Sequence, residues 1–300
     1  MNGVIVIDKP QDYTSFDVVA VVRGIFETKK VGHTGTLDPM ATGVLPILLG
    51  SATKALSLLP DTDKEYRASF LLGKRTDTLD IAGKALEERK SSVTAEQLLD
   101  VLPQFRGSIM QLPPMYSAVS VGGKRLYELA REGKEVERKP REVNISALEL
   151  LSFDTDRQCG ELLVRCSKGT YIRTLIDDIA TQLGTIGVMS ALRRASACGF
   201  KLDQAVPLAE LRSLKAEKGL EGAAALVHPV ETLFSDYCAV SVSEAQAKRF
   251  SNGGSLDLMR TQLKNKAVAD GEVFRVCERG GGFLGLARAD SGELKFLKKF

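Results

Sequence analysis

Residues 32–49 read GHTGTLDPMATGVLPILL and join a glycine-rich loop to a short apolar run. The run at residues 44–49 is typical of a buried strand. The glycines of the loop allow its backbone to approach a bulky partner closely. Pro39 disfavours the α region for the residue before it. The loop is therefore predicted to hold Asp38 extended, with its carboxylate aimed by the backbone.

The same residues have a simpler interpretation. Asp38 and Pro39 could be an N-cap followed by proline at the first helical position. The flanking glycines, and His33 five residues upstream, favour a functional loop over a helix cap.

Regular elements are predicted on both sides of the loop. A short strand at residues 3–7 precedes a helix that begins at Thr14 or Ser15. The apolar face of that helix is predicted from its 3.6-residue spacing to be Phe16, Val19, Val22 and Phe26. Residues 52–59 are predicted to be helical, and the alternation from residue 66 to 72 predicts a strand with Tyr66 on its apolar side.

Further along, residues 143–151 and 161–167 are predicted strands, and residues 170–183 form a strongly amphipathic predicted helix that ends before Gly184. Strands and helices mix without a regular βαβ repeat. This pattern favours an α+β domain with a largely antiparallel sheet.

The C-terminal part is predicted to be a separate small domain. A partly helical link covers residues 203–235, and hairpin signals follow at residues 280–282 and 290–292. We therefore expect a first domain at residues 1–234 and a small β-barrel at residues 235–300.

Composition limits the possible functions. The chain has 300 residues and a net charge of +3. Residues 236–300 hold 11 Lys and Arg against 8 Asp and Glu, so the whole positive excess lies in this part of the chain. These cations could form a phosphate-binding patch or simply face solvent.

Because the N-terminus lacks a signal sequence and no apolar run approaches roughly 20 residues, we expect a cytoplasmic protein without membrane contact. The cysteines are not closely paired and the two histidines lie far apart, which disfavours a metal site or a disulfide framework.

Several motifs together resemble one family. The segments are GVIVIDKP (3–10), GHTGTLDPMATGVLP (32–46), DKEYR (63–67), RTDTLD (75–80), PPMYSAVSVGGKRLYELAREG (113–133) and KGTYIRTLIDD (168–178). In this order they are similar to the bacterial tRNA pseudouridine-55 synthases, closely over residues 3–200 and loosely beyond. The resemblance implies a pseudouridine synthase fold with a mixed, largely antiparallel sheet flanked by helices, an RNA-gripping insertion at about residues 103–141 and a PUA-like C-terminal domain.

The resemblance also implies a reaction. The enzyme would isomerise uridine to pseudouridine at position 55 in the T-loop of tRNA. No metal or organic cofactor is expected, because the isomerisation involves no redox change and no external reagent, and nothing in the sequence requires more than a monomer. Asp38 would be the catalytic carboxylate on a flipped-out base. One ionised carboxylate suits the chemistry as a nucleophile toward C1′, as a nucleophile toward C6, or as a base for elimination; the sequence leaves these routes open.

Arg173 is the predicted partner of Asp38. A guanidinium can hold a semi-buried carboxylate in its ionised form through a charge-assisted fork. The alternative is an ordinary surface pair with Asp177, four residues along the same helix.

Four further residues are predicted to contact the substrate. Tyr66 and Tyr171 are expected to hold the target uracil, because aromatic faces bind unstacked bases. Tyr66 could also transfer a proton at C5, although an ordinary phenol is a poor base at neutral pH. The resemblance assigns Leu192 to the substrate pocket, with a core leucine as the alternative, and His33 to RNA contact near the flipped base.

The sequence also allows other roles for several residues and for the protein as a whole. Asp80 could order the active site or cap a turn. Residues 124–141 mix basic and acidic groups on a predicted helix that could grip RNA or simply face solvent. A glycosylase would need a second carboxylate, for which Asp77 or Asp80 could serve. A non-catalytic RNA-binding module would need none of this chemistry.

Overall fold

The structure is a computed structural model that describes residues 1–60 and 62–300. Its strands are β1 (Gly3–Lys9), β2 (Val31–His33), β3 (Thr42–Leu49), β4 (Lys64–Leu72), β5 (Lys74–Thr76), β6 (Ala85–Glu88), β7 (Gly107–Gln111), β8 (Ser120–Val121), β9 (Lys124–Arg125), β10 (Arg141–Asp154), β11 (Cys159–Cys166), β12 (Gly187–Ala197), β13 (Phe200–Lys201), β14 (Val206–Pro207), β15 (Ala239–Val242), β16 (Leu256–Asp257), β17 (Val273–Glu278), β18 (Phe283–Asp290) and β19 (Glu293–Lys298).

The α-helices are α1 (Ser15–Phe26), α2 (Ala95–Val101), α3 (Leu126–Arg131), α4 (Ile172–Gln182), α5 (Leu208–Ala224) and α6 (Glu244–Ser251). Short 3-10 helices are Gly50–Ser57, Leu102–Phe105, Leu202–Gln204, Val230–Phe234 and Leu258–Arg260.

A ten-stranded mixed sheet forms the first part of the molecule. Its order is β14-β1-β3-β12-β4-β11-β10-β7, with β2 paired to β3 and β13 paired to β12. The β1–β14 and β3–β12 pairs are parallel and the other described pairs are antiparallel. The predicted α+β class with a largely antiparallel sheet is confirmed.

The centre of this sheet is buried on both faces. Along β1, Ile5 and Ile7 belong to a core cluster that also includes residues of α1, α4 and α5, whereas Val4 and Val6 belong to a second core cluster on the other face. A strand covered on both sides needs apolar residues at every position rather than at alternate ones. This explains the continuous apolar run in β3.

Helix α1 begins as predicted, and three of the four residues predicted for its buried face, Val19, Val22 and Phe26, are buried. Thr14 is its N-cap and forms a capping box with Asp17. The buried face includes Val18 and Ile25, whereas Phe16 is 71% exposed, so its predicted burial was wrong. The capping geometry places Phe16 in the first turn, on the solvent side.

Three other predicted elements differ from the structure. The segment at residues 52–59 is part of a 3-10 helix. Helix α4 starts one residue after Tyr171, which is its N-cap. Residues 124–141 are helical only in α3, and the chain then runs on without regular structure to β10. Charge and spacing in that segment suggested a longer helix, but Gly133, with φ of +70°, follows its end.

The C-terminal residues form a five-stranded sheet in the order β15-β17-β18-β19-β16. Both predicted hairpins are present, as β17–β18 and β18–β19. The sheet curls into half a barrel, consistent with a PUA-like domain. It has its own core cluster, which includes Phe250 and Phe274.

An aromatic cluster joins this sheet to the link that precedes it. Phe234 is fully buried, and its ring lies 5.1 Å from that of Phe300 and 6.1 Å from that of Phe283. The same core cluster includes Val4 and Leu48 of the large sheet. The C-terminal sheet therefore packs directly on the first part of the chain.

Among the described residues, no helix is both long and apolar enough to cross a membrane.

Candidate active site

The loop that carries Asp38 is held by buried side chains that bind its main-chain atoms. Arg194, on β12, is fully buried and donates to the carbonyls of Val44 at 2.6 Å and Gly35 at 3.1 Å. Ser15 Oγ accepts from the main-chain N–H of Leu37 at 2.9 Å. Because such bonds fix the backbone on the N-terminal side of Asp38, they also fix the direction of its carboxylate.

Lys9 anchors the other side of the loop. Its ammonium is buried and donates to the carbonyls of Pro10, Tyr13 and Pro39, at 2.8, 2.6 and 3.1 Å. Burial lowers the pKa of Lys9 to about 8, and the nearby carboxylate of Asp38 opposes that fall. The end of β1 is thereby tied to the turn that follows Asp38.

The position where the loop enters β3, Gly43, can only be occupied by glycine. Its φ is +105°, and a Cβ atom there would lie 2.2 Å from the carbonyl oxygen of Arg194. Both the conformation and the close approach exclude a side chain. Here β3 and β12 run parallel, and Gly43 pairs with Arg194.

Asp38 and Arg173 form a forked ion pair. Arg173 Nε lies 3.0 Å from Asp38 Oδ2, and Nη2 donates to Asp38 Oδ1 at 3.2 Å. The guanidinium is 7% exposed, whereas the carboxylate remains 33% exposed. The predicted pairing is confirmed, and the carboxylate is left accessible from one side.

The remaining donors of Arg173 are also used. Nη1 donates to the carbonyl of Thr78 at 2.8 Å and lies 3.5 Å from Asp80 Oδ2. Nη2 donates to the carbonyl of Tyr116 at 2.9 Å. Asp80 itself accepts from Thr78 Oγ1 and from the N–H of Ala82, at 2.8 and 3.2 Å. Asp80 therefore does both things that the sequence suggested: it orders a turn and faces the active-site arginine.

Burial and charge act in opposite directions on Asp38. Burial raises the pKa of the Asp38 carboxyl above its ordinary value, Arg173 and Lys9 oppose the rise, and Asp80 adds to it. The two cations thus favour the ionised form in a place where an unpaired carboxylate would tend to take up a proton.

A cavity of about 280 Å³ opens beside this ion pair. Tyr66 of β4, Tyr171 before α4 and Leu192 of β12 line it together with Asp38 and Arg173. These are five of the six residues that the sequence placed in the site. Asp38 is the one carboxylate among the described lining residues.

Tyr66 is held inside the cavity wall as a neutral phenol. Its side chain is nearly buried, and burial raises the pKa of its phenol above the ordinary value. A higher pKa makes the phenolate scarcer at neutral pH. Tyr66 is therefore better suited to contact an apolar or aromatic group than to act as a base.

His33 lies at the end of β2, beside the cavity rather than in its described lining. Burial and the charge of Arg194 lower its pKa, which favours the neutral imidazole. The exposed ring of Phe16 meets it edge to face, with centroids 5.6 Å apart. His33 Nδ1 is buried without a hydrogen-bond partner among the described residues.

Two hydroxyl groups of the cavity lining are also unpaired. Thr34 Oγ1 and Ser117 Oγ are buried and have no hydrogen-bond partner within the described part of the chain. Leaving a buried polar atom unpaired costs about 1–3 kcal/mol.

The structure decides two alternatives that the sequence left open. Pro39 and Met40 form a turn, closed by the N–H of Ala41 on the carbonyl of Asp38, rather than the first turn of a helix. Asp38 as a helix N-cap was therefore wrong. Asp177 pairs with Arg75 at 2.6 Å instead of with Arg173, so the surface-pair alternative was also wrong.

Sequence reasoning missed the groups that hold the site. Lys9, Ser15 and Arg194 were assigned no role, although Lys9 lies in one of the quoted motifs. Cations that bind main-chain carbonyls have no recognisable spacing in sequence. The available signal was their position: Lys9 follows an apolar strand directly, and Arg194 lies within one.

The described residues include no group of three or more His, Cys, Asp or Glu that could hold a metal ion. The expectation that the reaction needs no metal or cofactor stays a prediction.

Comparisons with known proteins show which family the chain resembles. Residues 23–172 match the model of the TruB family pseudouridylate synthase N-terminal domain, and residues 173–235 match that of the tRNA pseudouridylate synthase B C-terminal domain. The tRNA pseudouridine synthase B of Stutzerimonas stutzeri is 46% identical over 95% of this chain and 91% of its own length. That of Clostridium tetani is 41% identical over 99% of both chains. Among solved structures, a Cbf5-Nop10-Gar1 complex matches with a TM-score of 0.74 and 25% identity, over 99% of this chain and 84% of the other.

The matching family models and the relatives at this coverage show that the chain is a pseudouridine synthase, which is an isomerase. More narrowly, the chain belongs to the TruB family of pseudouridylate synthases.

Proposed function

We propose that this protein converts uridine to pseudouridine at position 55 in the T-loop of tRNA, with Asp38 as the nucleophile on a flipped-out base. The observation that carries the proposal is the forked pair of Asp38 with Arg173 at the wall of a cavity lined by Tyr66 and Tyr171. The names of the relatives supply tRNA as the substrate class.

The reaction itself is redox-neutral and needs no second substrate. The N1–C1′ bond breaks, the uracil turns and a C5–C1′ bond forms, while C5 loses a proton and N1 gains one. A carboxylate that forms a temporary bond to the substrate divides this into easier steps. The fork from Arg173 supports that role because it orients both oxygens of Asp38 and leaves one side open.

The cavity suits one unstacked base. A base within a helical stack cannot reach a carboxylate that lies inside a protein wall, so the nucleotide must leave the stack first. The rings of Tyr66 and Tyr171 can then contact the uracil, with Leu192 on the same wall.

The position of His33 supports a contact outside the cavity. Its neutral imidazole lies next to the Asp38 loop and beside an exposed aromatic ring. We assign it to the RNA around the flipped nucleotide rather than to the chemistry.

The glycosylase alternative has less support in the geometry. It requires a second carboxylate as general acid, and the described residues that line the cavity do not include Asp77 or Asp80. Asp80 faces Arg173, and Asp77 accepts from the N–H of Lys84 at 2.8 Å.

A T-arm RNA stem-loop with tritium at uridine C5 tests the proposal. Isomerisation releases tritium to water and leaves no free uracil. Release of free uracil would indicate a glycosylase, and a protein that binds the RNA but releases neither product would be a binding module. A second stem-loop, with cytidine at position 55 and every other uridine kept, should release no tritium if the position is assigned correctly.

The remaining parts of the proposal concern organisation. We assign residues 1–234 to catalysis, residues 103–141 within them to an RNA-gripping insertion and residues 235–300 to additional RNA contact. A tRNA substrate is consistent with a monomeric enzyme that works in the cytoplasm.

A further inference from the structure

Gln111 makes an unusual pair of hydrogen bonds at the edge of the candidate site. Its side-chain amide accepts from the main-chain N–H of Tyr171 at 2.7 Å and donates to the carbonyl of the same residue at 3.1 Å. Gln111 is 1% exposed. The amide is therefore committed to Tyr171 and shielded from water.

Tyr171 is a position where the backbone needs help. It is the N-cap residue of α4, where Ser, Thr, Asp or Asn usually supplies a hydrogen-bonding side chain. Two residues later the first turn carries Arg173, whose guanidinium pairs with Asp38. An amide that fixes the main chain of Tyr171 thus fixes the start of the helix from which Arg173 extends.

Gln111 also lies within the segment assigned to the insertion. It is the last residue of β7, an end strand of the large sheet. Five residues later, the carbonyl of Tyr116 accepts from Arg173 Nη2 at 2.9 Å. The short segment from Gln111 to Tyr116 therefore contacts the catalytic helix at two points.

We propose that Gln111 is a positioning residue, which holds Tyr171 against the target base and Arg173 against Asp38. The inference rests on the proposed function, because it assumes that these two residues serve the isomerisation. It adds a residue outside the cavity lining whose loss impairs the chemistry rather than the fold alone.

Loss of this bond has a distinct effect on Asp38. The charged groups that act on its carboxylate are Arg173 from α4, Lys9 from the end of β1 and Asp80 from the turn after β5, and the neutral phenol of Tyr66 lies on the same wall. Arg173 opposes the rise in the pKa of Asp38 that burial causes. If Arg173 is held less firmly, that pKa rises further, and the acid limb of the rate profile moves to higher pH.

The chain contains a matched control. Gln158 binds Val93 in the same way: its amide accepts from the Val93 N–H and donates to the Val93 carbonyl, both at 2.9 Å. Gln158 is 7% exposed and does not belong to the described lining of the cavity. Replacing either glutamine by methionine keeps the length of the side chain and removes both of these hydrogen bonds; at Gln158 it also removes the bond to the carbonyl of Thr155 at 2.7 Å.

The experiment compares Gln111→Met and Gln158→Met with the wild-type protein. Single-turnover tritium release at saturating T-arm RNA is measured from acid to neutral pH, together with RNA affinity and thermal stability. For Gln111→Met we expect the rate to fall about 10- to 100-fold, as for other small misplacements of catalytic groups. Its acid limb should move to higher pH. Gln158→Met should lose stability but keep the wild-type rate and acid limb.

Two outcomes would overturn the inference: a wild-type rate and acid limb in Gln111→Met, or the same loss of rate in Gln158→Met. If Gln111→Met does not fold, Gln111→Glu replaces it, since glutamate keeps the acceptor for the Tyr171 N–H and loses the donor. Its rate should fall below the wild-type rate, and an unchanged rate would also reject the inference. Wild-type protein that forms no pseudouridine would reject the proposed function instead. An NMR titration of Asp38 in the free protein then still reports whether Gln111 holds Arg173 in place.

Discussion

The cavity around Asp38 and the C-terminal sheet carry their charges in different ways. The cations that hold Asp38 and its loop are buried: Arg173 is 7% exposed, and Lys9 and Arg194 are fully buried. On the C-terminal sheet and its connections they face water, with the side chains of Lys295 and Arg260 at 51% and 82% exposure. Buried cations must satisfy every donor and so fix their partners in place, whereas exposed cations exchange partners with water and salt.

The difference suggests a division of labour. Charge that is fixed by burial can orient a carboxylate for a reaction, and charge at the surface can contribute contacts to RNA that depend on salt. Changes in the cavity should therefore alter the rate, and changes on the C-terminal sheet should alter binding.

The largest effect is expected from Asp38→Asn. Asparagine keeps the size of the side chain and loses the charge, so single-turnover tritium release should fall by a factor on the order of 10⁴ or more. Affinity for the T-arm RNA should stay close to that of the wild type. Asp77→Asn is the matched control and should remain active. An active Asp38→Asn protein would remove the chemistry from the cavity altogether.

Arg173→Lys should have the next largest effect. Lysine keeps the positive charge but cannot form the fork to both oxygens of Asp38 or reach the carbonyls of Thr78 and Tyr116 at the same time. We expect the rate to fall about 10²- to 10³-fold, as when a preorganised donor is removed from other active sites. Arg75→Lys, which changes the other arginine paired along α4, is the control. Equal losses in both variants would mean that only the helix is being disturbed.

The pH profile of the wild type should show a smaller effect of the same burial. Because burial raises the pKa of Asp38, the ionised form is lost on acidification at a higher pH than for an exposed aspartate, whose value is 3.8. Below that point the rate should fall about tenfold per pH unit. Circular dichroism at each pH shows whether the protein remains folded. A flat profile down to pH 3.8, with folded protein and intact RNA, would contradict the burial argument.

Part of the fold and most of the candidate site could be predicted from the sequence. The apolar positions of α4 and the alternation along β4 follow from periods of 3.6 and 2, so their buried faces could be predicted. Asp38, Arg173, Tyr66, Tyr171 and Leu192 could be placed in one site by the family resemblance. The cavity that these residues share could not be predicted without the strand order, because the residues come from four separate segments of the chain.

The missing parts have a physical reason. Arg194 and Lys9 act through main-chain carbonyls, and Gln111 acts through the backbone of Tyr171, so their partners can be any residue type. Such contacts therefore produce no recognisable pattern of residue types in the sequence. The exposed Phe16 was missed for a different reason: the apolar spacing fits a buried face, but the Phe16 ring, in the first turn, meets the ring of His33 and stays largely exposed.

The C-terminal sheet should show a modest effect on binding alone. Lys298 and Lys299 can be replaced together by glutamine, which should flatten the salt dependence of RNA binding by about 0.7 to 0.9 log units for each phosphate that is no longer neutralised. The rate at saturating RNA should not change. Replacing Lys295 and Arg260, which pair with Asp290 and Asp257, removes the same charge and is the control.

An unchanged salt slope in the Lys298 and Lys299 variant would mean that this basic end is merely solvated. Removing the whole sheet would be a less clear test. A cut near Phe234 would expose the aromatic cluster that Phe283 and Phe300 cover, so loss of stability would be mixed with loss of binding.

The smallest effect, none at all, is expected from a chelator. Enzyme treated with a strong chelator and then dialysed should keep its full rate on T-arm RNA, because the isomerisation transfers no electrons and consumes no second substrate. The fold of the RNA is monitored separately, since divalent ions also stabilise RNA. A loss of rate that only an added divalent ion restores, with the RNA folded throughout, would contradict the prediction.

The parallel pairing of β3 with β12 has a consequence for how the enzyme comes into being. Asp38 lies 135 residues before Arg173, and Val44 lies 150 residues before Arg194. A ribosome makes Asp38 long before it makes Arg173 and Arg194, which hold the Asp38 side chain and its loop. Such non-local pairing is also among the slower steps of folding. The nascent chain therefore carries an unaimed aspartate, and activity begins only after β12 has emerged and found its place between β3 and β4.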